Sequence, residues 1–110
     1  MEIVQKENLS IITLLSPKLG KYEASRLIEK INQLANPIAI NLNFVSDCTI
    51  DFIEALKEIN NKNIGMFNIP SDIFAIFNIM KIDRTIALYT SEIDFEEQKR
   101  QLINRKFSII

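Results

Sequence analysis

The sequence predicts an α/β fold, a mixed β-sheet of about four to five strands with about four α-helices packed on it. Short apolar runs rich in β-branched residues alternate with stretches whose hydrophobes recur at three- and four-residue spacing. Clusters of proline, glycine and asparagine punctuate the chain between them. At 110 residues, 47% hydrophobic and 25% charged, the chain has the size and balance of one domain spanning 1–110 with a modest core.

Leu9 to Leu15 (LSIITLL) is short, apolar and β-branched, as a buried strand is. Glu2 to Val4 pairs with it as an edge strand through a turn near Lys6–Asn8. Pro17 and Gly20 in SPKLG break the run. From Tyr22 to Leu34 the spacing of Ala24, Leu27, Ile28, Ile31 and Leu34 predicts a helix. Asn36-Pro37 ends it, because a residue before proline avoids the helical region. Pro37 to Leu42 (PIAINL) carries hydrophobes on both faces, which predicts a central strand.

A second helix follows with Phe52, Ala55, Leu56 and Ile59 on one stripe, and Asn60–Asn63 stops it. Ile64 to Ile69 (IGMFNI) is a third core strand. Pro70-Ser71-Asp72 opens a helix to about Met80, with Ser71 or Asp72 as its cap. Ile73, Ile76, Phe77 and Met80 form its buried stripe, which leaves Phe74 and Ile79 facing elsewhere. A neighbouring helix or the tail covers those two, or they form an apolar docking patch. Thr85 to Tyr89 (TIALY) is a further strand, and Ser91 or Asp94 opens a charged helix to about Asn104. On that helix Glu96 and Arg100 stand at salt-bridge spacing. The closing Phe107–Ile110 (FSII) is a strap over the core, a disordered end or a dimer contact.

Composition narrows the function. With 13 basic against 14 acidic residues, no nucleic-acid or anionic-membrane surface announces itself. The apolar runs fall far short of the ~20 residues of a membrane helix, and Met1–Val4 lacks a signal-peptide start, so the expected location is cytoplasmic. There is no histidine, which removes the commonest general base and metal ligand. Cys48 is the only cysteine, so neither an internal disulfide nor a cysteine metal cage can form. Gly20 and Gly65 are the only glycines, too few for a phosphate-cradling glycine loop. The expectation is a binding protein, not an enzyme, with no cofactor and no metal.

The stretch NFVSDCTIDFIEAL, Asn43 to Leu56, concentrates the chemistry. Asp51 and Glu54 stand three apart ahead of the helix, the spacing of a capping box. A negative group at that helix end gains ~0.3–1 kcal/mol from the helix dipole. Aspartate caps helices in any protein, so capping alone accounts for Asp51 as readily as function does. Thr49 is a candidate phosphoacceptor or a solvated turn residue. Cys48 has no cationic sequence neighbour to lower its pKa, which favours packing over reactivity. Asp47 with Asp51 is a carboxylate pair without a partnering base.

Three segments together resemble the STAS domain, the family of anti-sigma factor antagonists and of the cytoplasmic tails of sulfate transporters. LLSPKLGKYEASRLIEKI (Leu14–Ile31) resembles its second strand, turn and first helix. INLNFVSDCTIDFIEAL (Ile40–Leu56) resembles the strand, signature loop and second helix. IGMFNIPSDIFAIFNIMKIDRTIALYTSEIDF (Ile64–Phe95) resembles the remaining strand-helix-strand-helix run.

The departures are specific. Asn41 stands where the family's strand motif has aspartate, and Gly20 where an aspartate follows the turn. The signature Asp-Ser-Ser/Thr-Gly falls without gaps on Thr49, Ile50, Asp51 and Phe52, which puts Asp51 at the phosphoacceptor place. A register with a two-residue deletion shifts it to Asp47, Cys48, Thr49 and Ile50, leaving Thr49 to be phosphorylated. The gapless register is preferred because the other sets Glu54 at a core position, where an unpaired carboxylate costs several kcal/mol. The resemblance implies a bacterial, cytoplasmic regulator that docks an anti-sigma factor or a serine kinase of the GHKL ATPase type. The docking surface is then Asp47, Cys48, Thr49 and Asp51 with Lys21 and Tyr22 beside them. It also leaves open a scaffold subunit of a signalling or lipid-transport complex, a small-ligand or nucleotide-binding domain, and a homodimer.

Overall fold

The computed structural model describes residues 1–35, 37–59 and 63–89. Strand β1 (Glu2–Lys6) turns back through Glu7-Asn8 into β2 (Leu9–Thr13), pairing antiparallel in the register Val4 to Ile11. A short β3 (Lys18–Leu19) leads into helix α1 (Lys21–Gln33), then β4 (Ile38–Asn41), β5 (Asp47–Cys48) and helix α2 (Ile50–Leu56). Strand β6 (Ile64–Phe67), helix α3 (Ser71–Ile79), a 3-10 turn (Ile82–Arg84) and β7 (Ala87–Leu88) complete the described chain.

The main sheet has the order β1-β2-β4-β6-β7, with every pair after the first parallel. Each parallel step needs a crossover, and here each crossover holds a helix. Crossovers of this kind are right-handed, and three in succession moving the same way across a sheet set their helices on one face. Burial follows that rule. Ala24, Leu27 and Ile31 of α1, Phe52, Ile53 and Leu56 of α2, and Ile73 and Phe77 of α3 all join one core with Ile12, Ile38, Ile40 and Met66 of the strands. Full burial of side chains of this kind contributes about 1.5–3 kcal/mol each. A smaller cluster on the opposite face joins Leu9, Ile11, Ala39, Phe67 and Tyr89, and among the described residues no helix contributes to it.

This is the expected α/β architecture, with strands and helices in the expected order. Boundaries moved by a few residues: β2 stops at Thr13, β6 at Phe67, and only Ala87–Leu88 of the last strand pair with the sheet. Three α-helices lie among the described residues, and the expected fourth, with Phe107–Ile110, falls outside them. The stripe of α3 needs correction, because Ile76 is 41% exposed and Met80 only half-buried, while Phe74 is itself half-buried. Ile73 and Phe77 are the residues of α3 that the core buries fully, and Met80 packs at its margin. The cap of α3 is also corrected: Pro70 precedes the first turn, its carbonyl accepting from Phe74 N at 2.8 Å, and Ser71 and Asp72 lie inside the helix.

Candidate functional site

In a parallel α/β arrangement the loops that follow the strands and the starts of the helices gather at one end. Here that end is stitched together by strands too short to read from sequence. Lys18–Leu19 pairs in parallel with Asp47–Cys48, which joins the loop after β2 to the loop after β4. Pro17 O accepts from Ser46 N at 2.7 Å, Asp47 N at 3.1 Å and Ser46 Oγ at 3.1 Å. Thr49 N donates to Leu19 O at 2.9 Å. The side chain of Leu19 is buried beneath this seam.

Thr49 is thereby held in extended conformation as the residue that opens α2. Its Oγ1 accepts from Phe52 N at 3.2 Å, and its carbonyl accepts from Ile53 N at 3.2 Å. The capping box expected from Asp51 and Glu54 does not form. Asp51 sits one residue inside the helix, exposed, and Glu54 pairs with exposed Lys57 at 3.6 Å. The seam with β3 decides this, because it delivers the chain to the helix at Thr49, two residues earlier than the carboxylate.

A carboxylate does reach back at the neighbouring helix. Glu23 Oε1 accepts from Gly20 N at 2.8 Å, while Gly20 O accepts from Ala24 N at 3.0 Å. A methyl group placed on Gly20 lies 3.3 Å from that carboxylate oxygen and 4.0 Å from the Thr49 side chain. The two helix starts are therefore side by side.

Asn41, at the end of β4, ties the same end to β6. Its Oδ1 accepts from Asn43 N at 3.0 Å and from Asn68 Nδ2 at 3.1 Å, with Asn68 in the left-handed region at φ 55°. Only an acceptor is used there. A neutral amide oxygen meets that need without burying a charge.

Cys48 is half-buried within the seam, and its pKa is pushed up from 9.0 to about 12. Burial is the main cause, followed by the negative charges of Asp47 and Asp72. The thiol is therefore protonated and a poor nucleophile at neutral pH.

Asp47, Thr49, Asp51, Lys21 and Tyr22 are all exposed, so the named polar residues do share this end of the molecule. Ile79, on the last turn of α3, is 77% exposed and lies at that helix's opposite end. The site includes apolar residues that the spacing did not single out: Leu15, Phe44 and Ile50 are 52%, 55% and 68% exposed. Ile50 was legible as the one hydrophobe ahead of the Phe52–Leu56 stripe. Leu15 reads as the end of the apolar run Leu9–Leu15, and Phe44 lies in the loop after Leu42. Arg26 spans Tyr22, its guanidinium 5.8 Å from the ring centre and Nη1 3.4 Å from the hydroxyl. The cleft between Leu15, Tyr22 and Arg26 measures about 60 Å³, room for water rather than for a ligand the size of a nucleotide. Among the described residues no cluster of acidic and cysteine side chains converges as a metal site. No described helix is long and apolar enough to cross a membrane.

No protein-family model and no curated protein matches the chain. A solved structure does. The murine Solute Carrier 26 family member A9 anion transporter, in its inward-facing state, superposes with a TM-score of 0.64 at 16% identity. The match covers 86% of this chain and 18% of the transporter, within its STAS domain. So distant a likeness speaks for architecture alone, and on that evidence the chain has a STAS-like fold.

Proposed function

We propose that this chain is a regulatory protein-binding module, comparable to an anti-sigma factor antagonist, which docks a cytoplasmic partner through the starts of α1 and α2. The partner class is an anti-sigma factor or a serine kinase of the GHKL type. The observation that carries this reading is the composition of the end formed by Lys21, Tyr22, Asp47, Thr49, Ile50 and Asp51. Exposed charges alternate there with exposed hydrophobes over a seam that holds the backbone rigid, and the adjacent cleft is too small for a metabolite. Mixed apolar and charged surfaces of this type suit protein recognition.

The module works without the hydroxyl switch. Asp51 carries its charge permanently, and both hydroxyls of the loop before it are engaged, Thr49 in capping α2 and Ser46 in donating to Pro17 O. Phosphorylation of Thr49 turns the capping oxygen into a phosphoester and adds about −1.5 to −2 charges to a site already holding Asp47 and Asp51. The test is incubation with ATP and a GHKL-type serine kinase that phosphorylates antagonists of this fold, read by intact mass. The unmodified mass is expected. One added phosphate that disappears in Thr49→Val would defeat the non-switching reading. Binding is tested apart from it: Asp51→Lys is expected to abolish capture of the kinase or anti-sigma factor while leaving the melting curve in place.

A second reading rests on the structural neighbour, which is part of an anion transporter. On that reading the chain is a scaffold attached to a membrane transport complex. Co-purification with transporter subunits instead of regulatory kinases favours it.

A further inference from the structure

We propose that β1 is a self-pairing edge, through which two copies of this chain join their sheets antiparallel about Val4. The inference is independent of the docking function, since it uses none of the residues at the helix starts.

Among the described residues β1 closes one side of the main sheet, and its five residues pair with β2 without a bulge. Ser10 N donates to Pro37 O and Leu14 N to Asn41 O, so the even-numbered residues of β2 face β4. Leu9, Ile11 and Thr13 therefore face β1, where their register partners are Lys6, Val4 and Glu2. Antiparallel ladders alternate hydrogen-bonded and non-bonded pairs. The main-chain groups of Glu2, Val4 and Lys6 are thus turned to β2, and those of Ile3 and Gln5 point outward from the sheet.

An incoming antiparallel copy of β1 must match outward groups with outward groups. The register centred on Val4 does so over the whole strand. Ile3 meets Gln5 of the second copy and Gln5 meets its Ile3, each pair exchanging main-chain bonds. Val4 meets Val4 as the close, non-bonded pair, and its side chain is 45% exposed in the single chain. Glu2 falls opposite Lys6 on the same face, twice over by symmetry. Registers centred on Ile3 or Gln5 shorten the overlap and lose the opposite-charge pairs. Natural edges are commonly blunted by bulges, proline or charged side chains, which repel a second copy when like meets like. Here the order is acidic at one end and basic at the other, so the charges of β1 complement their own reverse.

Five residues a side make a small contact, so the expected dimer is weak, with a Kd of roughly 100 μM. Sedimentation equilibrium of the full chain up to roughly millimolar concentration should show a single-chain species converting to one of twice the mass. Amide exchange at Ile3 and Gln5 should slow as concentration rises, while that at Val4 holds constant. Gln5→Pro deletes an outward N–H that the chain's own ladder does not use, and should abolish the dimer without lowering the melting temperature. Glu2→Lys and Lys6→Glu should each weaken association by about tenfold, and the double reversal should restore it. If Gln5→Pro fails to fold, the charge-reversal set decides. A single-chain mass throughout the range overturns the proposal. So does a dimer that survives Gln5→Pro, or one that responds to Ile79→Lys and not to the β1 charges.

Discussion

Helices α1 and α2 begin side by side at the same end of the sheet, yet they satisfy their first amides by different means. At α1 a carboxylate from the first turn, Glu23, reaches back to Gly20 N. At α2 a hydroxyl from the preceding residue, Thr49, accepts from Phe52 N. The difference follows from how each chain arrives. Gly20 has no side chain to offer, so the cap at α1 must come from within the helix. Thr49 is held by its own amide on Leu19 O, which aims its hydroxyl at the first turn. The consequence is at the surface: the acid of α1 is taken up by a backbone amide, whereas Asp51 of α2 is left exposed.

Cys48 measures how tight the seam between those two starts is, and carries the largest expected effect. With its pKa raised from 9.0 to about 12, its thiolate fraction near pH 8 falls on the order of a thousandfold below an ordinary cysteine's. Alkylation by iodoacetamide, followed by mass, should be correspondingly slow and should jump on unfolding. A rate matching a free thiol means the seam opens readily. The same shift sets a pH dependence. Above pH 9 the unfolded chain loses the thiol proton while the folded chain keeps it, so this group's contribution to stability declines from about pH 9 to about pH 12.

Phe52→Ala comes next. The ring is fully buried, and its loss should cost about 3–5 kcal/mol in denaturant unfolding, enough to detach α2 from the sheet. Thr49→Ala and Glu23→Ala compare the two caps directly. Each should cost about 1 kcal/mol by the same measurement. A Thr49→Ala cost near zero, with the Glu23→Ala cost intact, would mean that the seam alone starts α2. Asp51→Asn should have the smallest effect, ~0.3–1 kcal/mol, since only the dipole interaction is lost. A cost above ~1 kcal/mol would make Asp51 a structural cap after all and undercut its role at the surface.

The outlines of this comparison were visible in the residues, but its key detail was not. The Phe52–Leu56 stripe placed α2, and Glu54, kept out of the core by the preferred register, is indeed at the surface. The capping box was predicted at α2 and the carboxylate that reaches back was found at α1. Spacing alone treats Asp51–Glu54 and Gly20–Glu23 alike, as pairs three residues apart. Only the two-residue ladder of β3 with β5 distinguishes them, and strands that short carry no periodicity. Exposed Leu15, Phe44 and Ile50 escaped for a related reason, since a hydrophobe beside a strand or stripe reads as its continuation. On α3 the pattern of Ile73, Ile76, Phe77 and Met80 is a valid helical face, but the core buries Ile73 and Phe77, takes Met80 at its margin and leaves Ile76 exposed.

What the chain determines by itself is the alternation of elements and which face of each is apolar, because both follow from local spacing and from the exclusion of water. It also determines which chemistries are missing, histidine and glycine loops among them. What only the tertiary structure decides is the entry point of each helix, and hence whether a given carboxylate is spent on a backbone amide or left at the surface. That depends on hydrogen bonds between loops nearly thirty residues apart, such as Pro17 with Ser46, which no local pattern encodes. The same holds for β1: its charges are written in the sequence, but the outward direction of Ile3 and Gln5 exists only once β2 has committed its other side to β4.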